Sequence, residues 1–301
     1  VAGSTSLVWI MPTSGSAAFY YPGGIIMEEK DKTRICVIGA GIVGGAISEA
    51  LVPRYPVTAT RRSFDKLNGL SEKGVRVTSD NRAAAEDADL VILSVKPAQV
   101  VPVLKEIAET VSGKTVVSFA AAISTDILRL AAPKAHFVRA MTNIAVRIHK
   151  GFTLFYPEPD FPAERLSLLE RILMELGEIQ QVDEQYLDVL TAMSGSGPAY
   201  IFTVIESMIY GALREGLPRN LALMAAAHTA IGASCLLLET GKHPAELRDM
   251  VLTPGGVTID GIYELEESRI RTAFMKAISA ASARARALSA EARAQAMQEI
   301  E

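Results

Sequence analysis

From residue 34 to about residue 157 the chain alternates short apolar runs with longer amphipathic ones. Runs rich in apolar and β-branched residues fall at 34–38, 57–60, 75–77, 89–95, 115–119 and 136–140. Helix-like patterns lie between them, at 43–52, 63–72, 97–111 and 125–130. The strands read as apolar throughout, as strands buried on both faces do. Such strands alternating with helices predict a parallel sheet covered on both sides. The run 152–157 predicts an edge strand, and 164–177 an amphipathic helix ended by Gly177.

Beyond residue 182 the strand pattern stops. Helical patterns run over 184–215, 219–240, 244–250 and from 258 to the end, with the stretch after Ser279 read as one exposed or interfacial helix. Gly216-Leu217-Pro218 and Gly241-Lys242-His243-Pro244 are stop and restart signals. The expected organisation is a doubly wound, mostly parallel α/β domain of Rossmann type over 31–182 and an all-α domain over 183–301. Residues 1–27 carry no charge and have no basic start, which makes a poor signal peptide. The expectation is that 1–30 is an extension outside the fold and that Met27 is the functional start. Residues 221–238 are uncharged over a length at the lower edge of a membrane span. Their alanines, with His228, Thr229 and Ser234, favour a buried or subunit-interface helix.

Composition narrows the chemistry. Apolar residues make up 49% and charged residues 21%, at a net charge of −4. That is an ordinary soluble composition without the basic face that nucleic acid needs. Cys36 and Cys235 stand far apart in apolar runs and read as buried thiols in the cytoplasm. The four histidines have no metal spacing, so no metal site is expected. Ser196 lacks the flanking glycines of a nucleophile elbow, and no Gly-Lys-Ser/Thr phosphate loop occurs. Cofactor-borne hydride transfer is what remains.

Gly39-Ala40-Gly41-Ile42-Val43-Gly44 follows the first predicted strand and opens a helix. In that setting G-x-G-x-x-G predicts a dinucleotide site. The first glycine permits a tight turn, the second lets backbone approach the pyrophosphate, and the third lets helix pack on strand. The helix start offers unpaired N–H groups to phosphate. Arg61-Arg62-Ser63 stands at the end of the second strand, where an NAD site carries a carboxylate. Guanidiniums and a hydroxyl there suit a 2′-phosphate, so NADPH is the expected cofactor, with NADH also usable. The segments 94–100 and 118–124 end two further strands, and carboxyl ends of parallel strands line the ligand crevice.

A second glycine-rich segment, Thr253-Pro254-Gly255-Gly256-Val257-Thr258, interrupts the helical half. Backbone N–H groups of Gly255, Gly256 and Val257 at the mouth of a new helix make an expected carboxylate cradle, with Val251 leading into it. Thr258 places a hydroxyl beside them.

The segments 193–202 (MSGSGPAYIF), 214–222 (REGLPRNLA), 242–266 (KHPAELRDMVLTPGGVTIDGIYELE) and VKPAQV resemble those of pyrroline-5-carboxylate reductases, over about residues 33–290. The resemblance implies a homodimer interlocked through the helical domain, often assembled into decamers. It implies reduction of a small cyclic imino acid, (S)-1-pyrroline-5-carboxylate, to L-proline. It places Asn81 near the adenosine end of the cofactor and Val95, Lys96 and Pro97 along it. Ala120, Ala121 and Ala122 line the nicotinamide pocket, beside Met141 and Asn143, and Thr258 bonds the substrate ring nitrogen. One loop departs from the family: Met141-Thr142-Asn143 is followed by Ile144-Ala145 in place of Thr-Pro. That departure motivates one alternative, a related cyclic imine or ketimine reductase; a second, of a different class, is a non-catalytic NADP(H)-binding interaction protein.

Overall fold

The computed structural model describes residues 31–63 and 67–300. The expected extension at 1–30 and part of the helix expected at 63–72 therefore lie outside the described residues. Among those described, eight strands form one sheet: β1 Ile35–Ile38, β2 Val57–Thr60, β3 Arg76–Thr78, β4 Leu90–Leu93, β5 Thr115–Ser118, β6 His136–Met141, β7 Gly151–Pro157 and β8 Gly177–Gln181. Their order is β3-β2-β1-β4-β5-β6-β7-β8. The first six are parallel, in the doubly wound order whose direction of winding reverses between β1 and β4.

The strand expected at the edge is an inner one. β7 pairs antiparallel with β6 and parallel with β8. β8 (GEIQQ) holds one aliphatic side chain, Ile179, and leaves no apolar period to read. Gly177 is also more than a helix stop. It has φ +130°, and a Cβ on it would stand 2.2 Å from the Gly151 carbonyl oxygen. β7 and β8 can pass that closely only over a glycine.

Helices α1 Ile42–Leu51, α2 Asn68–Ser71, α3 Asn81–Glu86, α4 Val100–Ile107, α5 Thr125–Ala131 and α6 Ala163–Met174 complete the sheet domain. Successive strand residues point to opposite faces. Val37 and Ile92 join Ile47 and Leu51 of α1 and Ile172 of α6 on one side. Cys36, Ile38 and Leu93 join Leu104 of α4 and Leu128 of α5 on the other.

The rest of the chain is helical: α7 Leu187–Leu190, a π-helical turn Thr191–Gly195, α8 Gly197–Arg214, α9 Arg219–Thr240, α10 Pro244–Val251, α11 Val257–Glu267 and α12 Ile270–Ile300. The single helix expected over 184–215 is thus broken by the π turn. Between 197 and 299, the buried residues are Ala222, Ala226, Ser282, Ala292 and Ala296. Phe202, Met224 and Leu238 stand 62%, 58% and 83% exposed, so α8 and α9 form no buried core of their own among the described residues. The expected burial of Cys235 fails for the same reason: the thiol is exposed on α9. The α9 helix is long and apolar enough to cross a membrane by length and composition, yet only 11% of its most apolar window is buried. The expected exposure of the tail holds only in part. Ala292 and Ala296 of α12 return to the sheet domain and join the core beneath α4 and α5. Arg293 meets Asp126 of α5 at 2.8 Å, and Lys105 of α4 donates to the Glu299 carbonyl.

Candidate active site

The glycine loop crosses the carboxyl end of β1 at the point where the strand order reverses. Gly39 has φ +95°, and a Cβ on it would lie 2.6 Å from the Ser94 carbonyl. A Cβ on Gly44 would lie 2.4 Å from the Gly39 carbonyl. Gly41 differs: its nearest neighbour would be 4.0 Å away, in open space at the start of α1. No side chain caps α1 there, and Ile42 is largely exposed. Two glycines are thus demanded by close protein packing, while the middle one leaves a cradle over uncapped helix amides, as a pyrophosphate needs.

Around this loop, Arg61 donates from Nη1 to the Ala40 carbonyl at 3.2 Å and so braces the loop. Arg62 and Ser63 are exposed beside it. Asn81 opens α3 and is half-buried; its Oδ1 accepts from the Thr60 hydroxyl at 2.6 Å and its Nδ2 donates to Glu106. Val95 and Lys96 follow β4 and lead into a 3-10 turn beginning at Pro97.

Val43 of α1 continues into a cavity of about 210 Å³. Its sheet-domain wall is Phe119, Ala120, Ala121, Arg139, Ala140, Met141 and Thr142. The helical wall is Leu187, Thr191, Gly195 and Ser196. Ala122 turns away into the core with φ +72°, a left-handed conformation rare outside glycine. Met141 Sδ would be 3.2 Å from a Cβ on Gly195, so a side chain there would press the π turn against β6. Single π turns often mark functional sites. Asn143 does not line the cavity: its Oδ1 accepts from the Ala145 N–H at 3.1 Å and caps a 3-10 turn over Ile144–Ile148.

The Thr253–Thr258 segment joins α10 to α11. Pro254 at the second position, Gly255 with φ +67° at the third, and a Gly256 N–H to Thr253 carbonyl bond of 2.9 Å make it a β-turn. Gly256 therefore spends its N–H inside the turn, which removes it from the expected cradle. It is a glycine for another reason: a Cβ there would sit 2.2 Å from Thr253 Oγ1. Among the described residues no acceptor faces the N–H groups of Gly255, Val257 or Thr258. Val251 and Val257 are 62% and 88% exposed, and Thr258 is half-buried. None of these residues lines the cavity of their own chain.

Residues 184–288 match the family model described as pyrroline-5-carboxylate reductase dimerisation. Residues 34–122 match that described as NADP oxidoreductase coenzyme F420-dependent. The pyrroline-5-carboxylate reductase of Methanosarcina acetivorans is 39% identical over 266 residues, 86% of this chain and 98% of that protein. The chain belongs to the pyrroline-5-carboxylate reductase family. The structure of such a reductase from Coxiella burnetii is similar at 33% identity and TM-score 0.75, over 86% of this chain and 99% of that one. The Plasmodium falciparum enzyme with NADP bound shares the fold, at TM-score 0.80 over 87% of this chain and all of that one, with 24% identity.

Membership in the pyrroline-5-carboxylate reductase family makes this chain an NAD(P)H-dependent oxidoreductase, and the uncapped cradle at Gly41 fits that cofactor. The loop that departs from the family pattern explains itself locally. Ala145 supplies the N–H that Asn143 accepts, which a proline at that position lacks. Among the wall residues, the sequence singled out none of Arg139, Ala140, Leu187 and Thr191. Only Arg139 carried a signal, as a charge inside the apolar run 136–140.

Proposed function

We propose that this reductase converts (S)-1-pyrroline-5-carboxylate to L-proline at the cofactor-side cavity, with Thr258 as the catalytic residue. The observation that carries the reading is the cavity itself. It opens beside the glycine loop at Val43 and is closed by small groups, Ala120 and Ala121, that let a flat ring pass. The reduction consumes one hydride and one proton per C=N bond, and NADPH supplies the hydride when bound. The Gly39–Gly44 loop holds its pyrophosphate, Arg62 and Ser63 its 2′-phosphate, and Asn81 and residues 95–97 flank it. The N–H groups of Gly255 and Val257 hold the substrate carboxylate at the helix mouth. The Thr258 hydroxyl bonds the ring nitrogen and orients the imine, which is basic enough to arrive as iminium. Alignment then supplies much of the rate.

One chain keeps the 253–258 turn out of its own cavity wall. The exposed apolar faces of α8 and α9 favour a homodimer in which a partner's turn completes the site. Decamers are a further stage of the same assembly. The organisation is a nucleotide-binding domain over 31–182 and a helical domain over 183–301. Two free cysteines suit the reducing cytoplasm. An apolar α9 is read as a subunit contact and not as a membrane span, and nothing in the charge pattern suits nucleic acid.

The test is NADPH oxidation by the purified dimer with pyrroline-5-carboxylate and with other cyclic imines. Turnover of pyrroline-5-carboxylate is expected. Turnover of other imines alone would replace the substrate, and cofactor binding without turnover of any would remove the catalytic reading.

A further inference from the structure

Arg139 is 6% exposed on β6, next to Ser118 of β5 in register. Its Nη2 lies 2.6 Å from Asp188 Oδ1, on α7, and its Nη1 3.6 Å from Glu184 Oε1, just before α7. Neither carboxylate stops there. The second oxygen of Asp188 accepts from Ser289 of α12 at 2.8 Å. The Glu184 carboxylate accepts the N–H and the hydroxyl of Thr125, at 2.8 and 3.1 Å, at the start of α5. One guanidinium thus ties together, through two carboxylates, three of the segments about the cavity, while α1, which supplies Val43, stands outside the network. β6 carries it, the turn Ala120–Ala122 runs into the Thr125 end, and α7 runs straight into the π turn that presents Thr191, Gly195 and Ser196.

Ion pairs withdrawn from water are a poor source of net stability, because desolvation offsets their attraction. Aliphatic side chains would fill this space at no such cost. What the guanidinium offers instead is a planar fork that fixes two carboxylates in direction as well as distance. We propose that Arg139 is a positioning residue for hydride transfer: through Asp188 and Glu184 it sets the separation between the nicotinamide wall of the sheet domain and the π-turn wall of the helical domain. This inference rests on the reductase reading above.

The test uses full-length Arg139→Met, Arg139→Lys and Asp188→Asn. Wild-type turnover of pyrroline-5-carboxylate is the reference, and its absence would count against the reductase reading and not against Arg139. With the wall shifted, kcat of Arg139→Met is expected to fall by roughly 30- to 100-fold, because a misplacement of about 1 Å costs about that much. The KM for the imine and the Kd for NADPH, by fluorescence titration, are expected to stay within about threefold, since Arg139 holds neither phosphate nor carboxylate. The isotope effect on kcat with NADPH deuterated at the transferred position is expected to rise. Amide exchange over 187–196 is expected to quicken. Arg139→Lys keeps the charge and not the fork, so partial rescue is expected. If Arg139→Met does not fold, Asp188→Asn must show the same split between kcat and KM, at smaller size. Folded variants with wild-type kcat, isotope effect and exchange over 187–196, and only a lowered Tm, would overturn the proposal.

Discussion

Ala122 holds a backbone conformation that suits glycine, at the foot of the cavity wall, and it does so buried in the core. Strain of this kind costs about 1–3 kcal/mol and survives where the surroundings over-determine it. Replacing it with glycine is expected to stabilise the fold by up to about 1 kcal/mol, and Ala122→Val to destabilise it by about 2 kcal/mol, measured by urea unfolding. Thr258 is half-buried, and on the proposed reading its hydroxyl bonds the substrate. Thr258→Ala is expected to lower kcat/KM about 10- to 100-fold, the size of one hydrogen bond to a charged group, with little change in Tm. The reverse pattern, lost stability with intact kinetics, would mark it as a helix cap. Arg62 is exposed where Arg61 is braced against the loop, so the two are not equivalent. Arg62→Ala is expected to raise the KM for NADPH roughly tenfold and to leave that for NADH unchanged, as loss of one charge-assisted phosphate bond should. Equal effects on both cofactors would rule out a 2′-phosphate contact.

At the scale of elements, legibility followed apolar content. Of the six parallel strands, β1 and β4 could be read most directly, from the runs 34–38 and 89–95, because burial on both faces leaves no polar positions within them. β8 could not be read, because an edge strand held by backbone bonds and one isoleucine has no pattern to offer. The π turn was equally hidden. Its extra residue changes hydrogen bonding without changing the helical composition around it. The glycine motifs gave the location of the cradle and the turn, and missed which N–H groups each turn consumes, as Gly256 shows. Ion pairs between elements also escape a linear reading. Arg34 donates to both oxygens of Asp89, at 2.9 and 3.2 Å from its side chain, and joins the entry of β1 to that of β4. The Arg34 guanidinium beside it holds the Asp89 carboxyl below its usual value. A lowered carboxyl stabilises the fold above the unfolded value of about 4, and that gain fades as pH falls through the lower folded one. Both side chains are about half exposed, so the gain is at most a fraction of about 1 kcal/mol. Asp89→Asn is expected to lower Tm slightly near pH 7 and not at all near pH 2, by calorimetry.

The whole molecule divides its surface unequally. The sheet domain has two packed faces, whereas α8 and α9 leave apolar side chains such as Phe202 and Met224 exposed among the described residues. Met224→Glu, in the first third of α9, is expected to shift the protein to monomers in sedimentation. NADPH binding should then persist while turnover is lost, since the cradle is complete in one chain and the turn 253–258 is not part of its cavity. A dimer with normal turnover would show that this face has another use. The return of α12 to α4 and α5 has a consequence in time. Ala292 and Ala296 complete a core whose other members begin at Cys36. During synthesis at about 5–20 residues per second, that face of the early domain stays bare until residue 296 has left the ribosome. Slowed translation between residues 280 and 296 should therefore lengthen the exposure of α4 and α5 to chaperones, and a chain cut short before residue 292 should be held by them longest.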